Sequence, residues 1–153
     1  MAIQTINCDG ITLSLLAPGA YELVFGRIPT CNFMCQSVLT PTVSFGRAKA
    51  AFSKHDVFLT GEKLNFGDLT ASILVDSNLQ QYTEMYKWMH DLSVLNSPID
   101  AASTCTLIAG DKTFSFEGVF PVEMTGIPFT SILTDVPPIT FQVTFSHIKF
   151  DLI

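Results

Sequence analysis

The chain has 153 residues and a net charge of −6, and only 14% of its residues are charged against 48% hydrophobic. That length suits one domain burying roughly 70% of its unfolded surface in a core, with no need of disulfide or metal staples. The acidic balance argues against a protein that grips nucleic-acid phosphates, and no run approaches the ~18 apolar residues of a membrane span. With so few ionic groups, part of the surface is expected to be covered by a partner.

The first ten residues, MAIQTINCDG, lack the basic and apolar regions of a secretory signal, so the chain is expected to be made in the cytosol. Strand-like segments then follow one another between Gly and Pro punctuation, with no linker, low-complexity run or internal repeat. Residues 1–153 read as a single, mainly β domain. The first strands are expected at 21–26 and 31–39. Cys31 and Cys35 lie in the second, on one face of an extended segment but too far apart for a bridge. With Cys8 and Cys105 they read as small buried hydrophobes of a reducing compartment; His55, His90 and His147 are scattered, and neither a metal nor a cofactor is expected.

Residues 44–55, SFGRAKAAFSKH, hold Arg47, Lys49 and Lys54 and no acid, which leaves five basic and fourteen acidic residues elsewhere. Two readings stand: a solvated loop, or a basic segment that meets the acidic body of another copy. Strands are expected next at 56–60 and 68–75. Thr70 and Ser72 give the second of these a polar face without charge, as suits a wet surface that holds nothing tightly.

From Ser77 the period changes to that of a helix. Asp76 or Ser77 supplies the N-cap, with Gln80 completing a capping-box pattern after Ser77. Leu79, Tyr82, Met85, Tyr86, Met89 and Leu92 fall within one half of the helical wheel and Trp88 at its edge, while the other half is polar. Such a face is expected to plug one end or one outer face of an antiparallel β-sandwich or barrel. A loop then returns to strands at 104–108, 113–120, 132–134 and 139–150. In the last, Ile139, Phe141, Val143 and Phe145 alternate with Thr140, Gln142, Thr144 and Ser146. The pattern then flips at His147, which predicts a bulge or a change of covered face. No nucleophile, zinc, phosphate-loop or dinucleotide motif is present, and no enzyme activity is expected.

The order of these features resembles the tail tube proteins of contractile-tailed bacteriophages over residues 21–150. The stretches that carry the resemblance are FMCQSVL, the basic segment, GEKLNFGDLTASILVD, the helix NLQQYTEMYKWMHDL, and FEGVFPVEMTGIPFTSILTDVPPITFQVTFSHIKF. The family often has Leu-Pro-Gly after its early strand. Here only VLTPT, 38–42, stands there, leaving tube, baseplate initiator and tail-completion ring all open.

The resemblance implies a small β-barrel with one helix, a hexameric ring formed by joining sheets across copies, and rings stacked into a conduit for DNA ejection. It implies a virion tail component with sheath and baseplate proteins as partners, and DNA passing without specific binding. Thr70, Ser72, Gln142 and Thr144 would line the lumen, and a loop with Phe45, Arg47, Lys49, Phe52, Lys54 and His55 would reach the next ring. The helix would brace the sheet through its apolar half. The rivals are a type VI secretion-like tube subunit and, from another class, a small-ligand-binding β-barrel, which would need an enclosed apolar pocket.

Overall fold

The computed structural model describes residues 4–8, 11–32, 34–52, 54–94, 102–132 and 137–153. The elements run β1 (Gln4–Cys8), β2 (Ile11–Leu15), β3 (Tyr21–Phe25), a 3-10 turn (Pro29–Cys31), β4 (Cys35–Leu39), β5 (Val43–Ala51), β6 (Asp56–Phe66), β7 (Leu69–Leu74), α1 (Gln80–Val94), β8 (Ser103–Ala109), β9 (Lys112–Met124), β10 (Thr140–Ser146) and β11 (Lys149–Leu152). The expected strand at 31–39 begins instead as the 3-10 turn, where Pro29 fixes a helical φ at the first position. Of the strand expected at 132–134, Ile132 lies outside any strand and the other two residues lie outside the described ones.

Seven strands make one antiparallel sheet in the order β3-β8-β9-β10-β7-β4, with β11 beside β9. The sheet rolls up on itself. Phe25 of β3 and Phe145 of β10 are separated by two intervening strands in that order, yet their rings lie 5.1 Å apart across the interior. At the seam, the Tyr21 hydroxyl of one terminal strand donates to the Cys35 carbonyl of the other at 3.3 Å. The result is the antiparallel β-barrel or sandwich with one helix that the alternation implied.

Two neighbouring strands bend together to let the sheet roll. Along β9 both Phe116 and Val119 are buried, so the inward parity slips by one between them, and Gly118 takes φ +65° there. Glycine occupies that left-handed region without the Cβ penalty other residues meet. Beside it, Ile148 N–H donates to the Glu117 carbonyl at 3.0 Å; Phe145, Ser146 and β11 keep one register against β9 on either side of the bend, and the β10 register shifts between Thr144 and Phe145. After Phe141, Val143 and Phe145 the next hydrophobic side chain of this stretch packed on the core is Phe150. The parity flip at His147 is therefore a corner of the barrel.

The interior is lined by alternate residues of the strands: Leu23 and Phe25, Leu69, Ala71 and Ile73, Cys105 and Leu107, Phe116 and Val119, and Phe141, Val143 and Phe145. Helix α1 closes this interior. Its Tyr82 meets Phe141 edge-on at 5.4 Å and its Trp88 lies 6.0 Å from Phe145. The Arg27 guanidinium covers the other side of Trp88 at 5.8 Å and bonds Asp91 at 2.9 Å.

The expected helix face is rotated. The buried stripe is Gln81, Met85 and Trp88, with Tyr82, Met89 and Leu92 half-buried, so Trp88 bounds the stripe on one side and is itself fully buried. Leu79 and Tyr86 are exposed, and Tyr86 instead lies 6.4 Å from His90. The cap explains the rotation. Asp76 Oδ1 accepts the Gln80 N–H at 2.9 Å, and Gln81 Oε1 reaches back to accept the Asp76 N–H at 3.2 Å. The reciprocal pair is thus Asp76 with Gln81, not Ser77 with Gln80, and it turns Gln81 inward.

Candidate assembly surfaces

β5 and β6 pair with each other and form a sheet of their own, outside the rolled sheet of the body. The basic segment is thus one strand and the tip of a long hairpin, not a loop. Its register shifts between Phe45 and Arg47, where the Gly61 and Gly46 backbones come so close that a Cβ on Gly61 would overlap the Gly46 carbonyl. Near the base, the cross-strand pairs Val43–Phe66 and Phe45–Leu64 give one face four large apolar side chains, each 42–55% exposed. Further out, Arg47, Lys49 and Phe58 share a face, with the Arg47 guanidinium 4.5 Å above the Phe58 ring. At the tip Phe52, 60% exposed, stacks on His55 at 6.1 Å beside Lys54. All six residues expected at an inter-ring contact lie on this arm. One feature differs: Asp56, just past the basic segment, pairs with Lys49 at 2.7 Å and offsets part of its charge.

The four residues expected at a lumen also come together. Gln142 stands opposite Ser72 and Thr144 opposite Thr70 on adjacent strands, facing away from the core. β4 extends that face with Ser37 and Leu39, and β9 adds Glu123 opposite Thr144. Across β4, β7 and β10 there is no charged residue at all. Thr125 enlarges the face through its hydroxyl, which accepts the Gln142 N–H at 2.8 Å. Ser37 and Glu123 escape a reading of the sequence because strand alternation shows which face a residue takes but not which strand lies beside it.

Cys31 and Cys105 are buried and Cys35 is half-buried. Burial pushes the Cys35 thiol up to about 11 and the Cys105 thiol up to about 12, and burial with the nearby Cys35 also raises Tyr21. Among the described residues no three His, Cys, Asp or Glu side chains are grouped to hold a metal, and no helix is long and apolar enough to cross a membrane.

No protein-family model matches the chain, and no curated protein matches it by sequence. Solved structures do match. A chain of the sheath/tube terminator of an extracellular contractile injection system, PVC, in its extended state superposes with a TM-score of 0.70 at 12% identity, over 91% of this chain and 96% of that one. A chain of the anti-feeding prophage cap, the tube-terminating cap, gives 0.69 at 11% identity over 91% of each. One from the anti-feeding prophage baseplate gives 0.60 at 10% identity, over 87% of this chain and 90% of that one. The rolled antiparallel sheet closed by one helix is thus the fold found in tube-terminating, capping and baseplate assemblies of contractile injection systems.

Proposed function

We propose that the chain is a structural subunit of a ring, hexameric in its simplest form, that stacks through the β5–β6 arm into the tube of a phage-tail-like contractile particle. The arm carries this reading. A two-stranded hairpin is marginal in water by itself, and this one exposes Val43, Phe45, Phe58, Leu59 and Leu64. Its apolar area is accounted for if another subunit covers it. The likeness in fold to terminator, cap and baseplate chains supports the same reading.

In that ring the uncharged face with Thr70, Ser72, Gln142 and Thr144 lines the bore. Hydroxyl and amide groups with no lysine or arginine among them offer phosphate nothing to hold, so DNA passes without specific binding. Sheath and baseplate proteins are the remaining partners, the particle's tail is the location, and the role is structural and not enzymatic. A second reading, a ring that ends the tube instead of extending it, is favoured by two of the neighbours being a tube terminator and a terminating cap.

Negative-stain microscopy of the pure protein at rising concentration tests both. Stacks of indefinite length are expected of a tube subunit and single or paired rings of a terminator. Protein that stays monomeric throughout overturns the proposal. The triple variant Arg47→Glu, Lys49→Glu, Lys54→Glu is expected to form soluble rings or monomers that no longer stack, because its arm then carries the charge of the acidic body.

A further inference from the structure

β7 and β10 lie side by side, antiparallel, and their two ends are different. At one end the arm leaves the body: β6 ends at Phe66, β7 starts at Leu69, and His147, just past β10, has its Nε2 3.1 Å from the Gly67 carbonyl between them. At the other end β7 runs out through Val75, whose N–H donates to the Ile139 carbonyl at 3.0 Å, and into the Asp76 cap of the helix. There a groove of ≈ 390 Å³ opens, walled by Phe129, Pro137, Pro138, Ile139 and Leu79, with Asp76 among its lining residues. Phe129 is 75% exposed and Leu79 37%, so the walls present apolar surface to solvent.

We propose that this groove receives the tip of the β5–β6 arm of a second copy, with Phe52 entering between Phe129 and the two prolines and Lys54 and His55 meeting the Asp76 side. The inference rests on the reading that copies stack, and names the surface on which they do so. Three observations carry it. The arm and the groove lie at opposite ends of the same pair of strands, as a head-to-tail contact that repeats along an axis requires. The arm, residues 43–66, holds four basic and two acidic residues, whereas the rest of the chain holds four basic and twelve acidic, so opposite potentials meet. The exposed tip is an aromatic pair, and aromatic anchors seated in apolar pockets supply most of the energy of such contacts.

A benzophenone amino acid placed at position 52 of the full chain, in an equal mixture of ¹⁴N and ¹⁵N protein, tests the contact by irradiation and mass spectrometry. Cross-links between differently labelled chains are expected within residues 75–79, 128–130 or 137–140. Alongside, Phe129→Asp, an exposed site whose melting temperature should match the parent's, is expected to form rings but to need at least tenfold more protein to stack. Stacks whose cross-links land elsewhere, or normal stacking by Phe129→Asp, would overturn the groove and leave stacking intact. A chain that never assembles overturns the inference and the reading beneath it together.

Discussion

The rolled body and the β5–β6 arm are built from the same polymer under opposite rules. In the body, β3, β7, β8, β9 and β10 interleave buried and open residues, and Phe25, Trp88, Phe116, Phe141 and Phe145 are at most 2% exposed. In the arm none of the described residues is buried, and Val43, Phe45, Phe52, Phe58, Leu59, Leu64 and Phe66 stay 42–60% exposed. The body buries a core within one chain. On the proposed reading a surface of another copy completes the arm; ordinary solvated hairpins avoid such apolar content by placing charge along their edges.

The comparison sharpens where the body is cut. Trp88→Ala removes a ring that joins the helix to Phe145 beneath the Arg27 guanidinium, and the loss is expected to be about 3–5 kcal/mol, read as a fall in the denaturant midpoint. Next in size is Gly118→Ala. Its Cβ would lie 2.6 Å from Ile148 Cδ1 and 3.0 Å from Ile148 Cβ; rotation of the 73% exposed Ile148 side chain relieves the first contact and a shift of a few tenths of an ångström the second, so the left-handed backbone sets most of a cost of about 1–2 kcal/mol. An equal loss in a variant that also carries Ile148→Ala would confirm that the backbone decides.

Alkali probes the same interior. Because burial raises Cys35 to about 11 and Cys105 to about 12, the unfolded chain loses these thiol protons at lower pH than the folded one does. Stability tied to these groups is whole below about pH 9 and is lost as the pH climbs through their folded values. A melting temperature that falls from pH 9 to pH 11, and falls less in a Cys35→Ala, Cys105→Val variant, is the expected result. A slope unchanged by those substitutions would assign it to other groups.

The contrast between body and arm also marks what the sequence makes legible. β7, β10 and the helix announce themselves because one side of each is buried, and burial is what imposes a period on composition. The two-sided exposure of β5, with Ala and basic residues in FGRAKAA, erases that period, so a strand reads as a loop. The β1–β2 hairpin is left out although Asp9-Gly10, a turn signal, stands between QTINC and ITLSL. The helix phase misleads by one position because Asp76 recruits Gln81 and turns a polar side chain inward, a choice that hydrophobicity does not encode. Thr70, Ser72, Gln142 and Thr144 are found from alternation, whereas Glu123 joins them through a pairing between distant strands.

The smallest expected effect is the most telling. Phe45→Ser with Leu64→Ser strips an opposed pair from the base of the arm, where both side chains are half in water and Phe66, edge-on to Phe150 at 5.4 Å, leans on the body. If the arm is a self-sufficient part of the fold, losing two large side chains should cost as a core deletion does. If it is built for a partner, the monomer should keep its unfolding free energy to within about 0.5 kcal/mol, as surface substitutions do, while assembly at the same protein concentration disappears. Chemical denaturation read beside sedimentation on one sample separates the two. A large drop in monomer stability would erase the distinction between body and arm, because it would mean that the apolar face of the hairpin already does its packing within a single chain.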